Sequence, residues 1–293
     1  MGRSLVVAVL AGLASCSPAA HSDPSARQGS FSKPEYAEHI AMLRARLDAK
    51  RLSDLRIRIE DPFVVIGDGS PGALERSSMT VRWAADLLEQ DFFSRRPSKI
   101  LDIYLFTTAA SYERGVKTLT GESPTTPYGF YSPSQAALFM NIATGGGTLV
   151  HEIVHPYVEA DFPAAPAWLN EGLGSLFEQS AERTGHIVGL TNWRLGGLQQ
   201  TVTSGRLQSF RALTALTSTA FYGDDTGTNY AQSRYLLYYL QEHGLLRDFY
   251  RAFRAARDHD PTGYATLVNA LGERDMKGFE RRWQRYVADL SFP

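Results

Sequence analysis

The sequence predicts an α+β protein: a small N-terminal sheet with helices, followed by a mostly helical C-terminal lobe. Three observations predict it. Leu55-Arg56-Ile57-Arg58-Ile59 alternates apolar and charged residues with the period of a half-buried strand. Further short apolar runs of strand length follow before residue 146, separated by helical patterns. Beyond residue 146 the persuasive patterns are all helical.

The elements follow in order. Between Glu35 and Leu52, Ile40, Leu43 and Leu47 recur among charges at helical spacing. The strand at 55–59 comes next, Pro62 interrupts, and Phe63-Val64-Val65-Ile66 reads as a second strand turning at Gly67-Asp68-Gly69. Val81 to Phe93 is an amphipathic helix, Ile100 to Phe106 a strand and Ser111 to Leu119 a short helix. A Gly/Pro/Ser-rich loop around Pro124 to Pro133 precedes a strand from Ala136 to Ile142. Gly145-Gly146-Gly147 leads into a helix carrying Leu149, Val150, Ile153 and Val154 on an apolar face. Ala165 to Glu178 is a second helix, with Pro166 in its first turn and Leu169, Leu173, Leu176 and Phe177 at packing positions. Lys277 to Leu290 is the last helix. Residues 34–145 thus form an N-terminal α/β part and 146–293 a helical lobe, with a cleft expected between them.

The first residues read as a processing signal. Arg3 supplies a positive region, and the apolar run from Leu5 to Leu13 is too short for an ordinary membrane span. Leu13-Ala14-Ser15-Cys16 resembles a bacterial lipobox, which implies a signal over 1–15, lipidation of Cys16 and a place in the cell envelope. Ser17 after the cysteine implies the outer membrane where the cell has two. Cys16 is the only cysteine, so no intramolecular disulfide is available. Residues 16–33, rich in Ser, Pro, Ala and Gly, have the composition of a tether. Membrane association is expected through the lipid alone. With 30 basic against 31 acidic residues, no polybasic surface points to nucleic acid.

The chemistry concentrates in His151-Glu152-Ile153-Val154-His155 and Trp168-Leu169-Asn170-Glu171-Gly172. Residues four apart share a helix face, so His151 and His155 can point at one metal ion. Glu171, carried in by packing of the next helix, is the natural third ligand, since a catalytic zinc takes three protein ligands and keeps one position open. Glu152 can then serve as general base towards an activated water. Asn170 and Glu178 are candidate partners that orient the histidines, although a solvated helix charge is the readier explanation of the acid. Phe139, Met140 and Asn141 are candidate substrate contacts if their strand is the sheet edge facing the cleft, although an ordinary core strand explains them equally well. Pro156 removes one backbone hydrogen bond and should kink the helix after the second histidine.

At these residues the chain resembles the gluzincins, zinc peptidases of the peptidase-MA-like group, and within them the aminopeptidase-like branch. The resemblance runs over residues 128–245. It implies a thermolysin-like catalytic core, one Zn²⁺ per chain held by His151, His155 and Glu171, and a peptide or protein substrate. Tyr230-Ala231-Gln232-Ser233-Arg234-Tyr235 is similar to the family's downstream helix, which implies that Tyr230 binds the transition state. The family's amine-gripping glutamate has no counterpart in Ala136 to Ala143, so strict N-terminal exopeptidase specificity is not expected. Two other functions remain compatible with the sequence: a zinc hydrolase of a non-peptide substrate, and a non-catalytic zinc-binding envelope lipoprotein.

Overall fold

The computed structural model describes residues 31–223 and 225–292. Cys16 and the expected signal lie outside them, as does most of the expected tether. Residues from Phe31 onward cluster into one compact unit, with no break between the two predicted parts.

Helix α1 (Lys33–Ala49) starts at a capping box in which Ser32 and Glu35 satisfy each other's backbone N–H groups. Strands β1 (Arg56–Glu60) and β2 (Phe63–Gly67) form an antiparallel hairpin across the cis Asp61-Pro62 bond. Helix α2 (Pro71–Asp91) returns the chain to β3 (Leu101–Phe106), parallel to β2. Helix α3 (Ala109–Thr120) and β4 (Gly129–Ser132) lead to β5 (Ala137–Asn141), which is parallel to β3 and antiparallel to β4. The resulting sheet has the order β1-β2-β3-β5-β4.

Period-two alternation divides the sheet's side chains between two cores. Val64, Ile66, Tyr104, Phe106 and Phe139 face one way and join Leu43, Leu47, Tyr112 and Val116 of α1 and α3. Phe63, Val65, Ile103, Leu105, Leu138 and Met140 face the other way, towards α2 and α4 (Gly147–Asp161). The second core continues through α5 (Ala167–Phe177) into α6 (Arg194–Thr203), α7 (Phe210–Thr214), α8 (Ser218–Gly223), α9 (Thr226–Glu242), α10 (Leu246–Ala256), α11 (Tyr264–Leu271) and α12 (Met276–Asp289). Helices α5 and α9 approach closely at Gly172, where a methyl group would lie 2.9 Å from Leu237 and 3.2 Å from Ser233.

The architecture is the mixed α+β arrangement the sequence predicts, with four local differences. Helix α2 begins ten residues before Val81, because Ser70 caps it and Pro71 occupies its first turn. A four-residue strand, β4, lies inside the stretch read as loop. A hairpin of β6 (Ser180–Arg183) and β7 (His186–Gly189) interrupts the helical lobe. It turns at Thr184-Gly185, both at positive φ (52° and 77°), as a two-residue hairpin turn requires. Lastly, β5 is an interior strand, and β4 forms the sheet edge on its side, opposite the β1 edge. Among the described residues no helix is long and apolar enough to cross a membrane.

Candidate metal centre

Helix α4 packs Leu149, Val150, Ile153, Val154 and Tyr157 into the core. His151, Glu152 and His155 occupy the face turned to α5 and the cleft. The helix continues through Pro156 to Asp161, so the proline does not end it. Helix α5 is fixed by Trp168, Leu169, Leu173, Leu176 and Phe177, all buried, and this packing carries Glu171 under the histidines.

Nε2 of His151 lies 3.3 Å from Oε2 of Glu171, and Nε2 of His155 lies 3.9 Å from the same oxygen. Two bonds of about 2.0–2.1 Å at a tetrahedral angle separate their donor atoms by roughly 3.3–3.4 Å. The first spacing meets this requirement and the second exceeds it by about half an ångström. One atom from each of His151, His155 and Glu171 falls within 4.8 Å of the others, so the three residues could hold a metal ion. The donor set, two imidazoles and a carboxylate, is one that zinc accepts.

The electrostatics agree with this fit. Glu152 and Glu171 are buried, and among the described residues neither forms an ion pair with a lysine or arginine. Burial pushes the Glu171 carboxyl up, but His155, His151 and the Tyr222 hydroxyl outweigh it and hold it at about 2. Burial pushes the His151 imidazole down, while its hydrogen bond to Glu171 and the charges of Glu152 and Glu171 bring it above its ordinary value. Two buried carboxylates facing two imidazoles carry uncompensated negative charge once the imidazoles are neutral, and a divalent cation neutralises it.

Surrounding groups set the orientation. Asn170 Oδ1 lies 3.0 Å from Nδ1 of His155, leaving Nε2 free to turn towards Glu171. Gly174 leaves room for the other ring: a methyl group there would stand 3.0 Å from Cδ2 and Nε2 of His151. The Tyr230 ring lies nearly parallel to that of His151, 6.4 Å away at 15°. Burial and the nearby Glu171 charge raise the Tyr230 phenol well above its usual range, so it remains a neutral donor. Glu152 Oε2 is 3.8 Å from Nε2 of His155 and stands outside the three-residue ligand group.

The structure gives two groups of candidate residues other partners. Glu178 accepts hydrogen bonds from Arg194 Nε at 3.0 Å and Asn192 Nδ2 at 3.3 Å, so Arg194 and Asn192 hold it and its influence on His151 is through charge. Phe139, Met140 and Asn141, the candidate substrate contacts, are buried and do not line the cleft. Phe139 stacks on Tyr104 and Phe130 on the sheet face turned away from α4, and Met140 is buried beneath Gly129. Asn141 instead fixes the cleft wall, its Nδ2 donating to Pro127 O and its N–H to Tyr128 O, both at 2.8 Å.

The cleft itself has a volume of about 1170 Å³. His151, Glu152, His155, Glu171 and Tyr230 line it, with β4 residues Gly129 to Tyr131 on one wall and Trp193 on the other. Tyr222 is the residue that sequence reasoning missed. Its hydroxyl donates to Oε1 of Glu171 at 2.6 Å. The only signal was its place before α9 in a tyrosine-rich stretch, which reads equally well as core.

Residues 145–262 match a family described as a protein of unknown function (DUF1570). The match covers less than half of the chain and includes both histidines, Glu152, Glu171, Tyr222 and Tyr230. No curated protein matches the chain.

Proposed function

We propose that this chain is a zinc-dependent peptidase of the gluzincin type, acting in the bacterial cell envelope. The observation that carries the proposal is the convergence of two Nε2 atoms from α4 on a single carboxylate oxygen from α5. Zn²⁺ there would supply Lewis acidity, lowering the pKa of a water to about 7 and polarising the scissile carbonyl.

The remaining work falls to the protein. Glu152 Oε2, beside the ligands and not among them, takes the proton of the attacking water and delivers it to the leaving amine. Tyr230 donates its phenolic proton in a hydrogen bond to the developing oxyanion. The peptide lies in the cleft beside β4, whose outer edge offers backbone groups for strand addition. Cys16 anchors the enzyme through its lipid, and the remainder of the sequence up to α1 tethers the catalytic unit. The near balance of charge gives no support to nucleic acid as partner.

The test is cleavage of a quenched peptide library, with free and blocked ends, by the full chain before and after chelation. Cleavage that chelator abolishes and zinc restores supports the proposal. Stoichiometric zinc without cleavage favours a non-catalytic zinc-binding lipoprotein.

A further inference from the structure

Glu171 has two oxygens, and the structure gives them different partners. Oε2 faces the two histidine nitrogens, while Oε1 accepts the Tyr222 hydroxyl at 2.6 Å. We propose that Tyr222 is a positioning residue that makes Glu171 a one-oxygen ligand and so keeps the fourth metal position open. The inference rests on the zinc reading above and adds a part to it.

The reason is geometric. A carboxylate attached through one torsion to a flexible stem can turn both oxygens to a metal, closing the position where a substrate or water must bind. A short hydrogen bond to one oxygen blocks that turn. Tyr222 is well placed to supply it. It sits in α8, ahead of α9, and its ring packs against Phe221 (5.5 Å) and Tyr230 (6.4 Å). Phe221 is fully buried and thereby fixes the backbone from which Tyr222 projects. The Tyr222 side chain itself lines the cleft and is 47% exposed. About half of the residue stays in solvent, so core packing alone does not explain its position. The hydroxyl contact does.

This arrangement gives the two tyrosines separate roles. Tyr230 stands against the ring of His151 and also reaches Glu171 by a hydrogen bond, whereas Tyr222 holds Oε1 of that carboxylate from α8. The segment from α8 into α9 thereby connects the helical lobe to the metal site.

The experiment is zinc affinity, measured by competition with a chromogenic chelator on the full chain and on Tyr222→Phe. Loss of an outer partner of a metal ligand typically costs 10–100-fold in affinity. The expected result is a loss in that range, together with a visible spectrum of the Co²⁺-loaded Tyr222→Phe variant that shifts from four-coordinate towards five-coordinate absorption as Glu171 turns both oxygens to the metal. Trp193→Phe, another exposed aromatic of the same cleft, should retain full affinity. Equal affinity in Tyr222→Phe and wild type overturns the assignment while leaving the zinc proposal intact. A Co²⁺ spectrum identical to that of the wild type overturns it too, since the carboxylate then binds through one oxygen without the tyrosine. Failure of the wild type to bind zinc removes both.

Discussion

Nε2 of His151 stands 3.3 Å from Oε2 of Glu171, although twenty residues separate them in the chain. Neither helix alone brings them together. The contact depends on the buried apolar faces of α4 and α5 locking at one angle and one rotation, with Gly174 leaving space at the junction. The geometry that could hold a metal ion and the packing of these two helices are therefore one property of the fold.

Gly174→Ala tests that coupling. The added methyl group would meet His151 at 3.0 Å, closer than the imidazole can accept without shifting. Overpacking of this kind costs about 1–3 kcal/mol. The displaced ring should also lower zinc affinity at least tenfold. Chelator competition and thermal unfolding measure the two effects, and an alanine variant with native zinc affinity would mean that the α4–α5 junction does not hold His151 in place.

Glu152→Gln keeps the size and most of the hydrogen bonding of the side chain but removes its basicity. Loss of a general base typically lowers the rate by about 10²–10⁴. Zinc content should stay at the wild-type value, because Glu152 is not one of the three ligand residues. Measuring peptide cleavage and metal content on the same preparation separates the two. Retained turnover would exclude Glu152 as the base.

Tyr230→Phe should reduce turnover by about 10²–10³, the usual effect of losing one oxyanion donor, with little change in KM. The ring is retained, so its packing against His151 and Phe221 should survive. A variant whose KM rises while kcat is unaffected would place Tyr230 in ground-state binding instead.

Much of the fold and site is legible in the sequence, and the reasons differ by element. The histidine pair and Glu152 can be read because their chemistry needs only one helical turn, which spacing fixes. Glu171 requires one further inference, that a carboxylate on an otherwise apolar helix face must meet a cation. Strand β4 cannot be read, since four residues ending just before Pro133 carry too little period-two pattern. For the same reason the sequence leaves Ala136–Ile142 open between a sheet edge and a core strand; the strand lies between two partners. Tyr222 is hidden for another reason. Its contact with Glu171 spans 51 residues and arises only from how α8 packs on the lobe.

Asn141→Ala should show what the interior strand contributes. Losing its hydrogen bond to Pro127 O frees the cleft wall at residues 124–128 and costs roughly 1 kcal/mol of stability. Zinc content should be unchanged, while KM for peptides should rise because the wall beside β4 loosens. Unaltered kinetics together with the stability loss would confine Asn141 to a folding role.

The most direct measurement is the metal content of the purified chain beside that of His155→Ala, each with an unfolding midpoint before and after chelation. One zinc per wild-type chain is expected, and none in the variant. A ligand present at about 100 times its Kd stabilises by about 2.7 kcal/mol. In a unit of this size, chelation should thus lower the wild-type midpoint by roughly 5–10 °C and leave the variant unmoved. A wild-type protein without metal, or one whose zinc survives the loss of His155, would contradict the metal centre proposed for this chain.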